Sequence, residues 1–394
     1  MRRLLVVVSV VVFVDAMLYG VLAPLVHGYA HDFALSKTGA GLLVAAFGTG
    51  AFAGGIPGGL AAQRWGPKRT VLLGLGLMAF ASLAFAIAGD PWTLGVSRFA
   101  QGMSSSTTWA GALAWLTVLT SRDRRGQVLG TVFGTAVFGA ILGPMVGAAA
   151  DLIGIRPSFL VMTGLALVLL VSAAAMPAAP VERQRPGALA QAARDYAFLA
   201  GLWFNTLPAL LFGTATLLVP LALGDAGFTP FGIGAVFLCA GMLESALNPI
   251  VGRLSDRYGR FRPARVALAA SAVVATALAF TSEPFVLAAL MCAASLTFGG
   301  FYTPGMALVS DRAEHVGLAQ GLAFGVMNSA WALGNLAGPA LGGTAAERWG
   351  DATPYLAGAV LCLLTLVAAQ RLRGTRPTPR TPVSVATPPG RQAP

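Results

Sequence analysis

Apolar runs of about 20 residues recur along the whole chain, and that is the length an α-helix needs to cross the hydrocarbon core of a bilayer. The first such run, Leu4 to Gly28, holds one charged residue, Asp15. A single chain inside lipid must satisfy its own backbone, so each run is expected to be a helix. Composition points the same way. Only 10% of the 394 residues are charged and 56% are hydrophobic, whereas soluble domains carry roughly 25% charged residues. So few charges could not cover a water-soluble core of this size. The start of the chain looks like a signal peptide. However, the apolar stretch is too long for one, it shows no small-residue cleavage site, and it contains Asp15, so it is expected to be a retained span. Cys239, Cys292 and Cys362 each lie inside an apolar run. They read as packing residues rather than a disulfide or metal set.

The expected architecture is all-α and integral to the membrane, with twelve spans near 4–28, 38–62, 70–88, 92–118, 127–150, 157–176, 196–222, 230–253, 264–282, 284–308, 316–344 and 353–371. It divides into a six-helix half over 1–176, a cytoplasmic linker over 177–195, a second half over 196–371 and a disordered tail over 372–394. With the N-terminus inside, 22 of the 26 Lys and Arg residues fall in inside segments. Lys37, Arg156 and Arg348 fall outside, and Arg98 lies within a span. This bias follows the positive-inside rule and places both termini in the cytoplasm. It also accounts for the net charge of +11 without any nucleic-acid partner.

The chain repeats itself. "GLAAQRWGPKR" (59–69) and "GRLSDRYGRFR" (252–262) lie 193 residues apart and share a Gly-x-x-x-x-Arg-x-Gly frame. At an offset of 195, Gly130, Gly139, Gly143, Pro144 and Gly147 fall on Gly325, Gly334, Gly338, Pro339 and Gly342. "LAPL" (22–25) also matches "LVPL" (218–221). Matches at nearly one offset imply duplication. An even number of spans per half makes the two halves parallel repeats.

These residues resemble the major facilitator superfamily, and more narrowly its twelve-span drug:proton antiporters, over about residues 4–371. "GRLSDRYGRFR" is similar to the family's loop signature, "RFAQG" (98–102) to its fourth-span signature, and "GAILGPMVGA" (139–148) to its antiporter signature in the fifth span. "DAMLYGVLAPL" (15–25) is similar to the first span of vesicular monoamine transporters. The resemblance implies a cytoplasmic latch at Asp256, Arg257, Gly259 and Arg260, with Asp311 as a candidate partner for Arg260. The first copy keeps Arg64 and Gly66 but has Gln63 and Pro67 where the second has Asp256 and Arg260. Positive-inside topology explains most of these charges as well, though it does not require Asp256. Gly139, Gly143 and Gly147 lie one turn apart, so they allow a close helix approach. Pro144 removes a backbone donor. Plain packing and a pliable seal during alternating access are both compatible with that pattern.

Three ionisable groups fall within spans: Asp15, Arg98 and Glu244. Intramembrane charge costs ~2.5–3.5 kcal/mol on insertion scales and is functional by default. A structural, hydrogen-bonded role is the competing reading for each. Removal from water favours the neutral form of any carboxyl. A group so placed can take a proton from one side and release it to the other, and a cationic substrate can compete for it. Asp15 is the first candidate and Glu244 the alternative, with Arg98 available as counter-charge to either. Helical spacing adds Tyr19 beside Asp15, then Gln101, Ser105 and Thr108 beside Arg98. It also groups Asn205 with Phe212 and Thr216, Asn248 with Glu244, and Phe324 with Asn328, Trp331 and Asn335.

The expected function is therefore secondary active transport: proton-coupled efflux of small amphipathic or cationic compounds by alternating access. The alternative is a facilitator or proton symporter for a polar metabolite such as a sugar or nucleoside. No catalytic set, metal cluster or phosphate loop is evident, so neither an enzyme nor a cofactor is expected. The expected partners are a small-molecule substrate, protons and the lipid bilayer, with the protein as a monomer in the cell inner (plasma) membrane.

Overall fold

A computed structural model describes residues 2–120, 125–180, 187–318 and 320–371. The expected tail at 372–394 lies outside them, as do Arg122, Asp123 and Arg124 and the side chain of Asp256. Twelve helical rods follow in order: α1 (Arg2–Gly20), α2 (Lys37–Trp65), α3 (Pro67–Ile87), α4 (Pro91–Leu119), α5 (Arg125–Ile153), α6 (Ile155–Ala174), α7 (Tyr196–Asp225), α8 (Pro230–Tyr258), α9 (Phe261–Phe280), α10 (Pro284–Phe298), α11 (Gln320–Trp349) and α12 (Ala352–Arg371). Ten stretches are long and apolar enough to cross a membrane. Rods α4 and α11 are as long, at 29 and 30 residues, but less apolar. Ser and Thr crowd α4, and Gly and Asn crowd α11. The five-residue helix Ala188–Ala192 stands in the segment expected to be only a linker.

Two expected spans are not continuous helices. Rod α1 ends at Gly20, and the chain goes on through a 3-10 turn, Ala23–Leu25, to a short helix, Val26–Asp32. Pro24 sits in that turn, where it cannot donate to the helical ladder. Rod α10 ends at Phe298, passes through the 3-10 turn Gly299–Phe301 and resumes as Tyr302–Val316. Its break falls on two consecutive glycines, which lose the most entropy in a helix.

Local chemistry sets where half of the rods begin. Ser36, Asp90, Asp195, Thr229 and Glu283 accept hydrogen bonds from backbone N–H groups in the first turns of α2, α4, α7, α8 and α10. Pro67, Pro91, Pro230 and Pro284 occupy first-turn positions, where their missing donor costs nothing.

The duplication is visible in the backbone. Gly66 (φ 89°, ψ 155°) and Gly259 (φ 85°, ψ 155°) make the same tight turn in the two cassettes. Only glycine adopts that region without strain. The glycine ladders also correspond. A Cβ on Gly139, Gly143 or Gly147 would meet the carbonyl oxygen of Phe13, Met17 or Val21 at 2.1–2.5 Å, so α5 lies directly on α1. On α11, a Cβ on Gly334 or Gly338 would meet the carbonyl oxygen of Thr206 or Leu210 on α7 at 2.2 or 2.3 Å.

The near end of the bundle is where α1 begins; the far end is opposite. Rods α1–α6 and α7–α12 meet along two seams. In one, α2 lies on α11: Gly343 approaches the Lys37 carbonyl at the far end, Gly48 the Leu336 amide midway, and Gly55 the Ser329 hydroxyl lower down. In the other, Gly234 and Gly241 of α8 face the Pro144 carbonyl and Ile141 of α5. Exposed aromatics ring both ends, with Trp65, Tyr196 and Tyr258 at the near end and Trp92 and Trp349 at the far end. Such belts sit at membrane–water interfaces.

Candidate functional site

The hydroxyl-rich run of α4 organises the middle of the first half. Successive side chains point in different directions: Ser104 Oγ donates to the Gly74 carbonyl (2.8 Å), Ser105 Oγ to Asp15 Oδ2 (2.7 Å) and Ser106 Oγ to the Ala51 carbonyl (2.5 Å). Trp109 Nε1 donates to the same Asp15 oxygen at 2.9 Å. Asp15 is buried, at 4% exposure, and both of these donors are neutral.

About two turns along α4 toward the far end, Arg98 is held separately. Its Nη1 donates to the Leu18 carbonyl (3.1 Å) and to Gln101 Oε1 (2.9 Å), and its Nη2 to the Tyr19 carbonyl (3.3 Å). The guanidinium carbon lies 4.9 Å from the centroid of the Phe47 ring. The expectation that Arg98 supplies counter-charge to a buried acid is not met here: among the described residues no salt bridge joins it to Asp15 or Glu244. The carbonyls near the end of α1, freed where the helix stops, take its donors instead.

Tyr19 connects the two halves. Its hydroxyl donates to Asn335 Oδ1 at 2.7 Å. Its ring lies 5.2 Å from both Phe47 and Trp331. One layer nearer the near end, Asn328 Nδ2 donates to Ser106 Oγ at 3.3 Å. Tyr19, Phe47, Trp331 and the buried amides of α11 thus form one cluster across the seam between α2, α4 and α11.

Glu244 lies in the second half, on α8. A Cβ on Gly299 would meet its Oε1 at 2.6 Å, so this carboxyl packs into the glycine break after α10. Asn248, one turn on, accepts from Thr303 Oγ1 at 3.4 Å. Asn205 is elsewhere: it is buried, and its Nδ2 donates to the Gly201 carbonyl of its own helix at 2.8 Å. Thr108 turns away toward Gly74 of α3. Trp109 was not among the expected residues. It lies four positions after Ser105, and that spacing places it on the same helix face.

In the second cassette, Arg260 Nε donates to Asp311 Oδ2 at 3.2 Å, and the Arg257 guanidinium lies 5.3 Å from the Tyr258 ring centroid. Arg64, in the first cassette, is exposed. Lys68 Nζ donates to the carbonyls of Ala174 and Met176 (2.7 and 2.6 Å), capping the end of α6. Arg265 Nη2 treats α12 in the same way through the Ala369 carbonyl, at 3.0 Å. Nearby, Arg312 donates to Asp195 ahead of α7, and this holds the Asp195 carboxyl below the usual carboxylate range.

The sequence profile of the Major Facilitator Superfamily matches residues 8–322 and 202–392. Multidrug resistance protein 2 of Bacillus subtilis (strain 168) is 24% identical over 346 residues, covering 84% of this chain and 86% of the relative. Among solved structures, a bacterial homolog of the human lysosomal transporter Spinster, inward-facing and unoccupied, matches with a TM-score of 0.75 at 14% identity, over 93% of this chain and 95% of its own. The nucleoside transporter NupG matches with a TM-score of 0.71 at 14% identity, over 93% and 98%. At such identities the structural likeness shows the shared fold alone. The profile, by contrast, covers most of the chain, which therefore belongs to the Major Facilitator Superfamily as a multi-pass membrane transporter of small molecules rather than an enzyme.

Proposed function

We propose that this protein exports small amphipathic or cationic compounds in exchange for protons, by alternating access. The observation that carries the reading is the Asp15 carboxyl, buried in the first half and held, among the described residues, by the neutral donors Ser105 and Trp109. A buried carboxylate without a paired cation is costly. A proton or the positive group of a substrate supplies the missing charge, and competition between the two gives exchange. Glu244 is the second carboxyl available to the same cycle. The name of the Bacillus relative, a multidrug resistance protein, supports export of drug-like compounds.

In this reading the twelve rods are twelve spans. Residues 1–176 and 196–371 rock against each other about the central cluster, and 177–195 links them. The near end faces the cytoplasm with both termini, in the cell inner (plasma) membrane, and the transporter acts as a monomer. The Arg260–Asp311 pair, with Asp256 and Arg257 four and three positions before Arg260 in the chain, acts as the near-end latch, bracing the second half at that end.

The test is a pH-gradient assay in inside-out vesicles, with a panel of lipophilic cations. Wild-type protein should release lumenal protons when a substrate is added, and Asp15→Asn should abolish that release while leaving folded protein in the membrane. Unchanged proton release in Asp15→Asn removes Asp15 from the coupling role. The amides and hydroxyls at Asn335, Tyr19, Asn328 and Ser106 favour a second reading, proton symport of a polar metabolite such as a sugar or nucleoside. Uptake that consumes external protons would establish it instead.

A further inference from the structure

Around Tyr19 the described structure leaves three buried donor atoms without an acceptor: Arg98 Nε, Gln101 Nε2 and Asn335 Nδ2. The residues are almost fully out of solvent, at 3%, 3% and 6% exposure. They belong to one cluster. Arg98 donates to Gln101 and to the Tyr19 carbonyl, and the Tyr19 hydroxyl donates to Asn335. Phe47 lies against both the Tyr19 ring and the Arg98 guanidinium. In each case the residue's other polar atoms are engaged in these bonds and the leftover atom is a nitrogen that can only donate. Among the described residues, the other donor-only nitrogen left in this way, Arg265 Nε, stands alone at the near end beside α12, and the unpartnered groups of Ser9, Ser82 and Ser271 are hydroxyls, which can act as donor or acceptor.

Buried polar groups are rarely left unsatisfied, and each exception calls for a missing partner. Here three such donors, from α4 and α11, belong to one hydrogen-bonded cluster that spans the seam between the halves, and one of them carries a full positive charge. The complementary chemistry is an oxygen-rich, negatively charged group. Carboxyls are also at hand in both halves, at Asp15, one turn before Tyr19 on α1, and at Glu244 on α8.

We propose that Arg98, Gln101 and Asn335 form a subsite for a carboxylate carried by the substrate, so that the preferred cargo is an amphipathic ampholyte rather than a simple lipophilic cation. The carboxylate meets the three donors, the apolar body lies along Phe47 and Trp331, and the basic group is left for the buried acids. This rests on the transport reading above and narrows its substrate class. The donors become reachable when the Tyr19–Asn335 bond opens, so substrate binding and parting of the seam compete for the same groups.

The test uses purified full-length protein in nanodiscs without any pH gradient, and one probe pair. Nε-dansyl-lysine carries an amine, a carboxylate and an apolar fluorophore; its methyl ester lacks only the anion. Wild-type protein should bind the acid about tenfold more tightly than the ester, the scale of one charge-assisted hydrogen bond. Gln101→Glu and Asn335→Asp keep the acceptor atoms used by Arg98 and Tyr19 and replace only the spare nitrogen with oxygen. Both should bring the acid-to-ester ratio to one or below, with ester binding held. An equal ratio in wild-type protein, binding of neither probe, or a tenfold ratio that survives both substitutions overturns the proposal, and ordered water then accounts for the donors. Equilibrium binding does not depend on coupling. Acid preference without proton release in the vesicle assay would therefore sink the antiport reading while the subsite stands.

Discussion

The far and near ends of the bundle are held by different kinds of contact. At the far end, polar contacts run between the halves. Lys37 donates to Asp351 at 2.5 Å, the Thr38 amide donates to Glu347 Oε2 at 2.8 Å, and His27 lies 3.6 Å from Asp225. Backbones also pack closely there: a Cβ on Gly343 would meet the Lys37 carbonyl at 2.4 Å. At the near end, the described polar contacts of the cassettes stay within one half: Arg260 with Asp311, Arg312 with Asp195, and Lys68 with the end of α6. The far end therefore joins the halves and the near end braces each half separately. Backbone contact does most of the joining, because ion pairs this exposed are worth only ~0–1 kcal/mol each.

That comparison can be broken at several strengths. The largest effect is expected from Gly343→Val. Its side chain would collide with backbone that cannot move aside, wedging the far end apart. A cysteine replacing Ala40, which is fully buried next to this contact, should then label more than tenfold faster from the far side. The control Gly59→Val, where a Cβ meets nothing within 4 Å, should leave labelling unchanged. Next is the near-end latch, where Arg260→Gln should slow turnover several-fold and Gln63→Ala hardly at all. Equal effects would reduce both cassettes to topology signals. Lys37→Ala should raise far-side labelling about two- to fivefold, and 0.5 M salt should mimic it, since exposed pairs are screened.

The smallest expected effect concerns pH. Arg312 lowers the Asp195 pKa, so the pair stabilises the fold fully above the ordinary carboxylate value of about 4. That contribution is lost as pH falls through the lowered value. Asp195→Asn keeps a competent cap and loses only the charge, so it should cost up to about 1 kcal/mol at pH 7. The thermal-unfolding gap between mutant and wild type should narrow as pH falls below the ordinary carboxylate value, and a gap that does not narrow would mean the loss is in capping.

Much of this was legible before any coordinates. Asp15 and Tyr19, one turn apart on α1, and Arg98 and Gln101, three positions apart on α4, were assigned to shared faces by spacing; the Arg98 and Gln101 side chains are hydrogen-bonded, while Asp15 meets Ser105 and Trp109 and Tyr19 reaches Asn335. Spacing fails one step later, because a helix face has no built-in address for what it meets. Thr108 and Trp109 are adjacent, yet one turns to Gly74 and the other to Asp15. Asn205 has a position as suggestive as that of Asn335, and it bonds to its own helix. Arg98 looked available to an acid until the break after Gly20 offered it carbonyls. Pro24 and the Gly299–Gly300 pair were visible in the sequence. A proline or glycine lowers the cost of a break, but whether a helix breaks there depends on what its neighbours offer the freed groups.

Hydropathy and the internal repeat were enough to specify helical rods and two matching sets of turns, and the resemblance of the loop and span motifs pointed to a family. These are local or periodic properties, set by backbone hydrogen bonding in lipid and by glycine's freedom at Gly66 and Gly259. Which charges meet, which donors are stranded and which end of the seam is shut depend on rods far apart in the chain. Tyr19 and Asn335 are 316 positions apart, and Lys37 and Asp351 are 314. No local rule links such positions. Only the packing of α2 on α11, with glycines bringing the backbones into contact, brings them within hydrogen-bond reach.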